Sequence, residues 1–237
     1  MAPTRELTEP VDVAGPDGRL APEAVGWART PVHRWNGRGP WGRRKRWEYW
    51  CVAGDGAILA VTVADVDVAG VAVATVVDLA TGELVEKLAL RAFGLRPPLP
   101  DAPHGGDVRF DAMGLRIDLL PSPGATRVVV ASRAIDADVV VDRPPGHDTL
   151  NVLVPRSDVQ YRLTSKQFAL RARGTVRARG RRHVVDGAFA ALDFGRGVWP
   201  YRTEWNWGCA AGVQDGRTVG INLGARWTDG TPVTETA

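Results

Sequence analysis

The stretch "LRARGTVRAR", Leu170–Arg179, alternates strictly. Its even positions are Leu170, Ala172, Gly174, Val176 and Ala178, and its odd positions are Arg171, Arg173, Thr175, Arg177 and Arg179. A period of two is what a pleated strand with one buried face requires, because successive side chains point to opposite faces. Four arginines on one face can grip phosphates. The stronger reading is a solvated outer face that also blunts edge-to-edge pairing.

The same grammar runs outward in both directions. "WEYWCVAG" (47–54) is a strand ending at a Gly-Asp-Gly turn, and "AILAVTVADVDVAGVAVATVVDL" (57–79) is two strands broken near Asp65–Gly70. "LVEKLALRA" follows the "ATGE" turn (80–83) and is read as a strand because its flanks are strands. After a Pro/Gly loop over 94–107 come "DVRFDA", "LRIDLL", "TRVVVASRA", "ADVVVDR", "LNVLV" and "VQYRLTS". Their turns recur every roughly 8–12 residues, the spacing of an all-β protein. Residues 1–40, rich in Pro, Gly and charge, read as a loosely structured arm anchored by Trp27 and Trp35.

The chain has 237 residues, 44% hydrophobic and 24% charged, enough to bury a core without disulfides or metals. A net charge of +3 is too weak to argue for nucleic acid. The basic run Arg43–Arg46 reads as a solvated loop. Two cysteines, Cys51 and Cys209, make no framework, and the four histidines lack ligand spacing, so neither a metal nor a cofactor is expected. Asp65 and Asp67 read as an exposed strand face. No signal segment and no integral membrane segment is expected, which points to the cytoplasm.

"DFGRGVWP" (193–200) excludes a helix, since Gly195 and Gly197 bracket Arg196 and Pro200 lacks a donor; it reads as a bulged strand that turns a corner. Beyond it, "TEWNWGCAAGV" and "TVGINLGARW" flank Asp215-Gly216, a type I′ hairpin signal. A two-residue turn there sets Trp207 opposite Gly224 and Cys209 opposite Asn222. Neither face of this hairpin looks like a solvent face, so both are expected to be covered. Asp193, Arg196, Arg202, Glu204, Asn206 and Asn222 then become candidates for burial. One reading is a salt-bridge network, Asp193 or Glu204 pairing with Arg196 or Arg202, that locks a corner. The other is an aromatic-walled pocket with a few placed polar groups.

"RWEYW" (46–50), "VADVDVAG" (63–70), "GRGVWPYRTEWNWG" (195–208), "VGINLGARWTDG" (219–230) and "TETA" (234–237) resemble the bacterial family called domain of unknown function 2804. That family is similar, more distantly, to lipocalin-like two-barrel proteins that include hydroxyneurosporene synthase. The resemblance implies an antiparallel lipocalin-like barrel or sandwich enclosing a hydrophobic cavity. It implies a first β half over 41–185 and a second starting at 186, here incomplete. Family members usually carry Asn where Glu235 stands and continue with further strands.

The resulting expectation is a protein binding a hydrophobic small molecule or lipid, with no nucleic-acid partner and the oligomeric state open. Trp47, Trp50, Trp199, Tyr201, Trp205 and Trp207 supply the walls. Arg196, Arg202, Asn206 and Asn222 supply the polar anchors. Two alternatives remain: a hydratase, cyclase or isomerase of an isoprenoid or polyketide with Asp193 or Glu204 as acid, and a structural protein without a ligand.

Overall fold

The computed structural model describes residues 5–92, 95–226 and 228–231. Among them no α-helix occurs, and a 3-10 turn spans Pro22–Ala24. The strands are β1 (Val11–Asp12), β2 (Trp27–Ala28), β3 (His33–Arg34), β4 (Arg44–Ala53), β5 (Ala57–Asp65), β6 (Gly70–Asp78), β7 (Leu84–Arg91) and β8 (Val108–Ala112). They continue as β9 (Leu115–Ser122), β10 (Ala125–Ser132), β11 (Ile135–Asp142), β12 (Leu150–Pro155), β13 (Tyr161–Ala178), β14 (Arg181–Val184), β15 (Ala188–Val198), β16 (Asn206–Gln214) and β17 (Arg217–Ala225).

One antiparallel sheet runs β7-β6-β5-β4-β15-β13-β11-β10-β9-β8. Its two ends approach each other. Arg91 donates to the Asp111 carbonyl at 3.0 Å and its guanidinium lies 4.7 Å from the Phe110 ring centroid. The sheet is therefore a nearly closed barrel. Hydrophobic alternation sorts each strand into an inner and an outer face. Leu59, Val61 and Val63 of β5, Ile117 of β9, Val139 of β11 and Phe194 of β15 all point inward into one continuous core.

The arm lies against this barrel. Val13, Ala24 and Trp35 enter the same core, and Trp35 packs 5.6 Å from Tyr161. β15, which follows residue 186, is an internal strand of the barrel: it pairs with β4 on one side and β13 on the other.

Leu170–Ala178 forms the second half of β13, with Leu170, Ala172 and Val176 buried and Arg171, Arg173 and Arg177 exposed, as is Arg179 in the turn that follows. "VQYRLTS" and "FALRARG" are a single strand joined through a register shift between Gln167 and Leu170, where Ala169 takes φ 61°. The extra residue exchanges the faces, so inward positions are odd before it (Tyr161, Leu163) and even after it (Leu170, Ala172). "DFGRGV", expected to bulge, is instead regular: its pairing with β4 is unbroken from Phe189 to Val198. The irregularity lies in its neighbour.

Two further expectations are overturned. The Arg43–Arg46 run is no solvated loop: Arg44 binds Asp67 at 2.6 Å, and Arg46 pairs with Asp101 at 3.1 Å. Asp65 and Asp67 are buried, and Asp67 also holds Arg96 at 3.0 Å. Burial of those acids demanded cations, and the run supplies them.

Arg196, fully buried, ties the Pro97–Asp101 segment to the barrel. Its guanidinium donates twice to the Pro100 carbonyl, at 3.0 and 2.7 Å, and once each to the Trp47 and Gly195 carbonyls. Glu48 stands 3.7 Å away. Burial lowers the Arg196 pKa to about 9, still charged at neutral pH. Burial also raises Glu48 from its usual 4.5 to about 7, with Arg196 opposing the rise.

A carboxyl raised on folding stabilises the native state below its unfolded pKa and loses that contribution as pH climbs through the folded value. Stability should therefore fall by on the order of 3 kcal/mol between pH 4.5 and 7, at 1.36 kcal/mol per unit. Urea titrations of wild type and Glu48→Gln at pH 4.5 and 7.5 check this; the variant should lack that part of the slope.

Candidate functional site

The outer face of β4, β15 and β13 carries an open cleft of about 490 Å³. From β4 it takes Lys45, Trp47 and Tyr49, which alternate with the inward Glu48 and Trp50. From β5 comes Thr62, directly opposite Tyr49 in register. β13 and β15 add Lys166 and Asp193, which are cross-strand partners. The segment after β15 closes the cleft with Trp199, Thr203, Trp205 and Trp207.

Two glycines make this wall possible. Gly195 and Gly197 face outward on β15. A methyl at Gly195 would overlap the Trp47 indole, and one at Gly197 would press on Arg162 and Trp199. Trp47 and Trp199 then meet with ring centroids 5.3 Å apart. The Arg162 guanidinium sits 4.6 Å from the Trp199 centroid.

The opposite wall is the β16–β17 hairpin. Its register is the expected one: Trp207 faces Gly224 and Cys209 faces Asn222, with Asp215 and Gly216 at positive φ. It rests on the bulge of β13, where Gly220 has room only for the Phe168 ring and Ala169. The Trp207 indole donates to the buried Asn222 Oδ1 at 2.7 Å and meets Tyr49 edge-on at 5.9 Å. Only this face is covered. Val219, Ile221 and Leu223 are exposed, contrary to the expectation of a hairpin buried on both sides.

Lys166 is buried in the floor, 2.6 Å from Asp193 and 4.7 Å from the Trp207 centroid. Burying the Lys166 ammonium costs several kcal/mol of hydration, which its attraction to the half-buried Asp193 offsets. Among the described residues, the buried atoms Asp193 Oδ1 and Thr203 Oγ1 have no hydrogen-bond partner. Burial raises the pKa of Tyr49 and of Cys51. It raises Cys209 too, with Cys51 adding to the effect; both thiols are free.

The structure thus assembles Trp47, Asp193, Trp199, Trp205 and Trp207 on one cleft, with Asn222 behind Trp207. It does not bring the other candidates there. Trp50 and Arg196 point into the barrel core. Tyr201 is 97% exposed and carries the Arg43 guanidinium 3.7 Å from its centroid. Glu204 is half exposed and pairs with Arg202 and Arg226. Asn206 is exposed. Of the expected pairings of Asp193 or Glu204 with Arg196 or Arg202, Glu204 with Arg202 forms, at 2.8 Å and exposed, whereas Asp193 pairs with Lys166 and Arg196 with Glu48.

The indole-rich corner turns away from the barrel interior, because Trp47 and Asp193 occupy outward registers. Sequence reasoning missed Lys45, Tyr49, Thr62, Lys166 and Thr203. Lys45 and Tyr49 share the alternation of Trp47, a signal that was there to read. Among the described residues no group of three or more His, Cys, Asp and Glu is placed to hold a metal.

Antiparallel strands curled into a nearly closed barrel, with loops and a hairpin laid on its outside, define a lipocalin-like fold. Two solved structures share the fold. A Nitrosomonas europaea protein provisionally assigned as AttH is 14% identical, with a TM-score of 0.56, over 80% of this chain and 62% of that one. Kievitone hydratase from Nectria haematococca is 11% identical, with a TM-score of 0.51, over 80% of this chain and 63% of that one. This chain therefore spans less than two thirds of either neighbour. Residues 4–237 match the family described as domain of unknown function (DUF2804), and the chain belongs to that family. No curated protein matches it. Trp227 and Glu235, part of the family-like segments, lie outside the described residues. No helix among the described residues is long and apolar enough to cross a membrane.

Gly195→Ala would push the Trp47 indole off the strand. Calorimetry should show a loss of about 1–3 kcal/mol, the usual cost of overpacking a filled site. The near-UV circular dichroism of the tryptophans should change with it.

Proposed function

We propose that the protein binds a hydrophobic small molecule in this outer cleft. The observation that carries the reading is an open cleft walled by Trp47, Trp199, Trp205 and Trp207, with the Lys166–Asp193 ion pair in its floor. Apolar walls with few placed polar groups are how small-molecule sites are built, and about 490 Å³ suits a ligand of drug size. A merely structural corner would fill the space between the indoles. A lipid is admitted by the same walls, and a location in the cytoplasm fits a soluble carrier.

A second reading, a hydratase, cyclase or isomerase of an isoprenoid or polyketide, is favoured by the same Asp193. Its carboxylate lies in the cleft beside Lys166 and is the acidic group among the cleft-lining residues. The name kievitone hydratase belongs to a neighbour that shares the fold alone, and it lends this reading its reaction class. Glu204 drops out as the acid, because it lies in solvent between two arginines.

Equilibrium dialysis with 2-naphthol, joined to native mass spectrometry of the purified protein, tests the binding site. Wild type should bind one equivalent, and Trp47→Ala should weaken it about tenfold, 1.4 kcal/mol. Trp27→Ala, outside the cleft, should not. Equal affinity in Trp47→Ala and wild type would sink the proposal. Asp193→Asn separates the two readings: a binder keeps its ligand, whereas an acid catalyst keeps it and loses turnover.

A further inference from the structure

The charges that line the cleft are unequal. Lys45 and Lys166 bring two ammonium groups and Asp193 one carboxylate. Lys166 and Asp193 neutralise each other at 2.6 Å. Lys45 has no carboxylate within ion-pair distance among the described residues, although every other cation of its run is engaged. Arg44 holds Asp67, Arg46 holds Asp101, and Arg43 donates to the Trp199 carbonyl and stacks on Tyr201. Lys45 faces outward with Trp47 and Tyr49, half-buried, its Nζ 5.8 Å from the Trp199 centroid.

Indole walls are also the material of cages for quaternary ammonium ions. Here that role is already filled from within. Arg162 and Lys45 lie by Trp199, and Lys166 lies by Trp207. A cationic ligand would meet like charge on two of its walls. An anion would meet the one ammonium that lacks a counter-ion, in a setting where water is partly excluded and the attraction is correspondingly stronger.

We propose that the cleft selects an amphipathic organic acid. Its flat apolar body lies against Trp47, Trp199 and Trp207, and its carboxylate is bound by Lys45. The proposal rests on the reading of the cleft as a ligand site and adds the ligand's chemical class to it.

The test compares three probes with one ring system: naphthalene, 2-naphthol and 2-naphthoate. Equilibrium dialysis at pH 8 and low salt gives their dissociation constants for wild type, Lys45→Met and Lys45→Arg. Wild type should prefer 2-naphthoate over 2-naphthol by about tenfold or more, as a charge-assisted hydrogen bond provides. Lys45→Met should collapse that ratio towards one, and Lys45→Arg should restore it. Raising the salt should weaken 2-naphthoate selectively. A ratio at or below one in wild type, or a preference that survives Lys45→Met, overturns the organic-acid assignment while leaving the cleft as a binding site. If none of the three probes binds, the cleft reading fails and this one with it.

Discussion

The flat contact between an indole and a bare strand backbone organises the cleft side of this molecule. β15 is an internal strand, and on its inner face Leu192, Phe194 and Val198 are core residues. On its outer face Gly195 and Gly197 offer no side chain, so Trp47 and the Arg162–Trp199 stack come down onto the peptide planes. A side chain at either glycine would lift the aromatic layer away from the sheet. The cleft exists because this layer is thin enough at the glycines to leave room beside it, and because Asp193, two residues upstream, stands up at its margin. The paired glycines of "GRG" therefore serve packing, while the arginine between them serves the opposite face.

That opposite role is electrostatic. Arg196 crosses beneath the strand to gather the carbonyls of Pro100, Trp47 and Gly195, with Glu48 as counter-charge. A guanidinium suits this place because its planar fork reaches several acceptors at once. The same strand thus fastens the Pro97–Asp101 segment on the inside and seats the tryptophan layer on the outside. Both depend on strict alternation, so the regularity of β15 is itself a requirement of the site.

Much of the barrel was legible because alternation in Leu170–Arg179, the break near Asp65–Gly70 and the Asp215-Gly216 turn each encode local geometry. The register of β16 and β17 followed from the turn alone. What the letters concealed was long-range. Lys166 finds Asp193 only through the pairing of β13 with β15, across the bulge at Gln167–Leu170. Arg196 finds Glu48 through β15 and β4. The sequence also shows no sign of which side of a doubly covered strand faces the barrel, so the tryptophans were expected to turn inward. Their composition was readable as a wall; its location was decided by whether odd or even residues of β15 meet the core.

The bulge in β13 has a consequence for how this chain can vary. Before it, odd residues enter the core; after it, even ones do. Losing one residue from Phe168–Ala169 would turn Arg171, Arg173 and Arg177 towards the oily interior and Leu170, Ala172 and Val176 towards water, while removing the ledge on which Gly220 sits. Chain length here acts as a spacer whose count keeps the inside of the barrel inside.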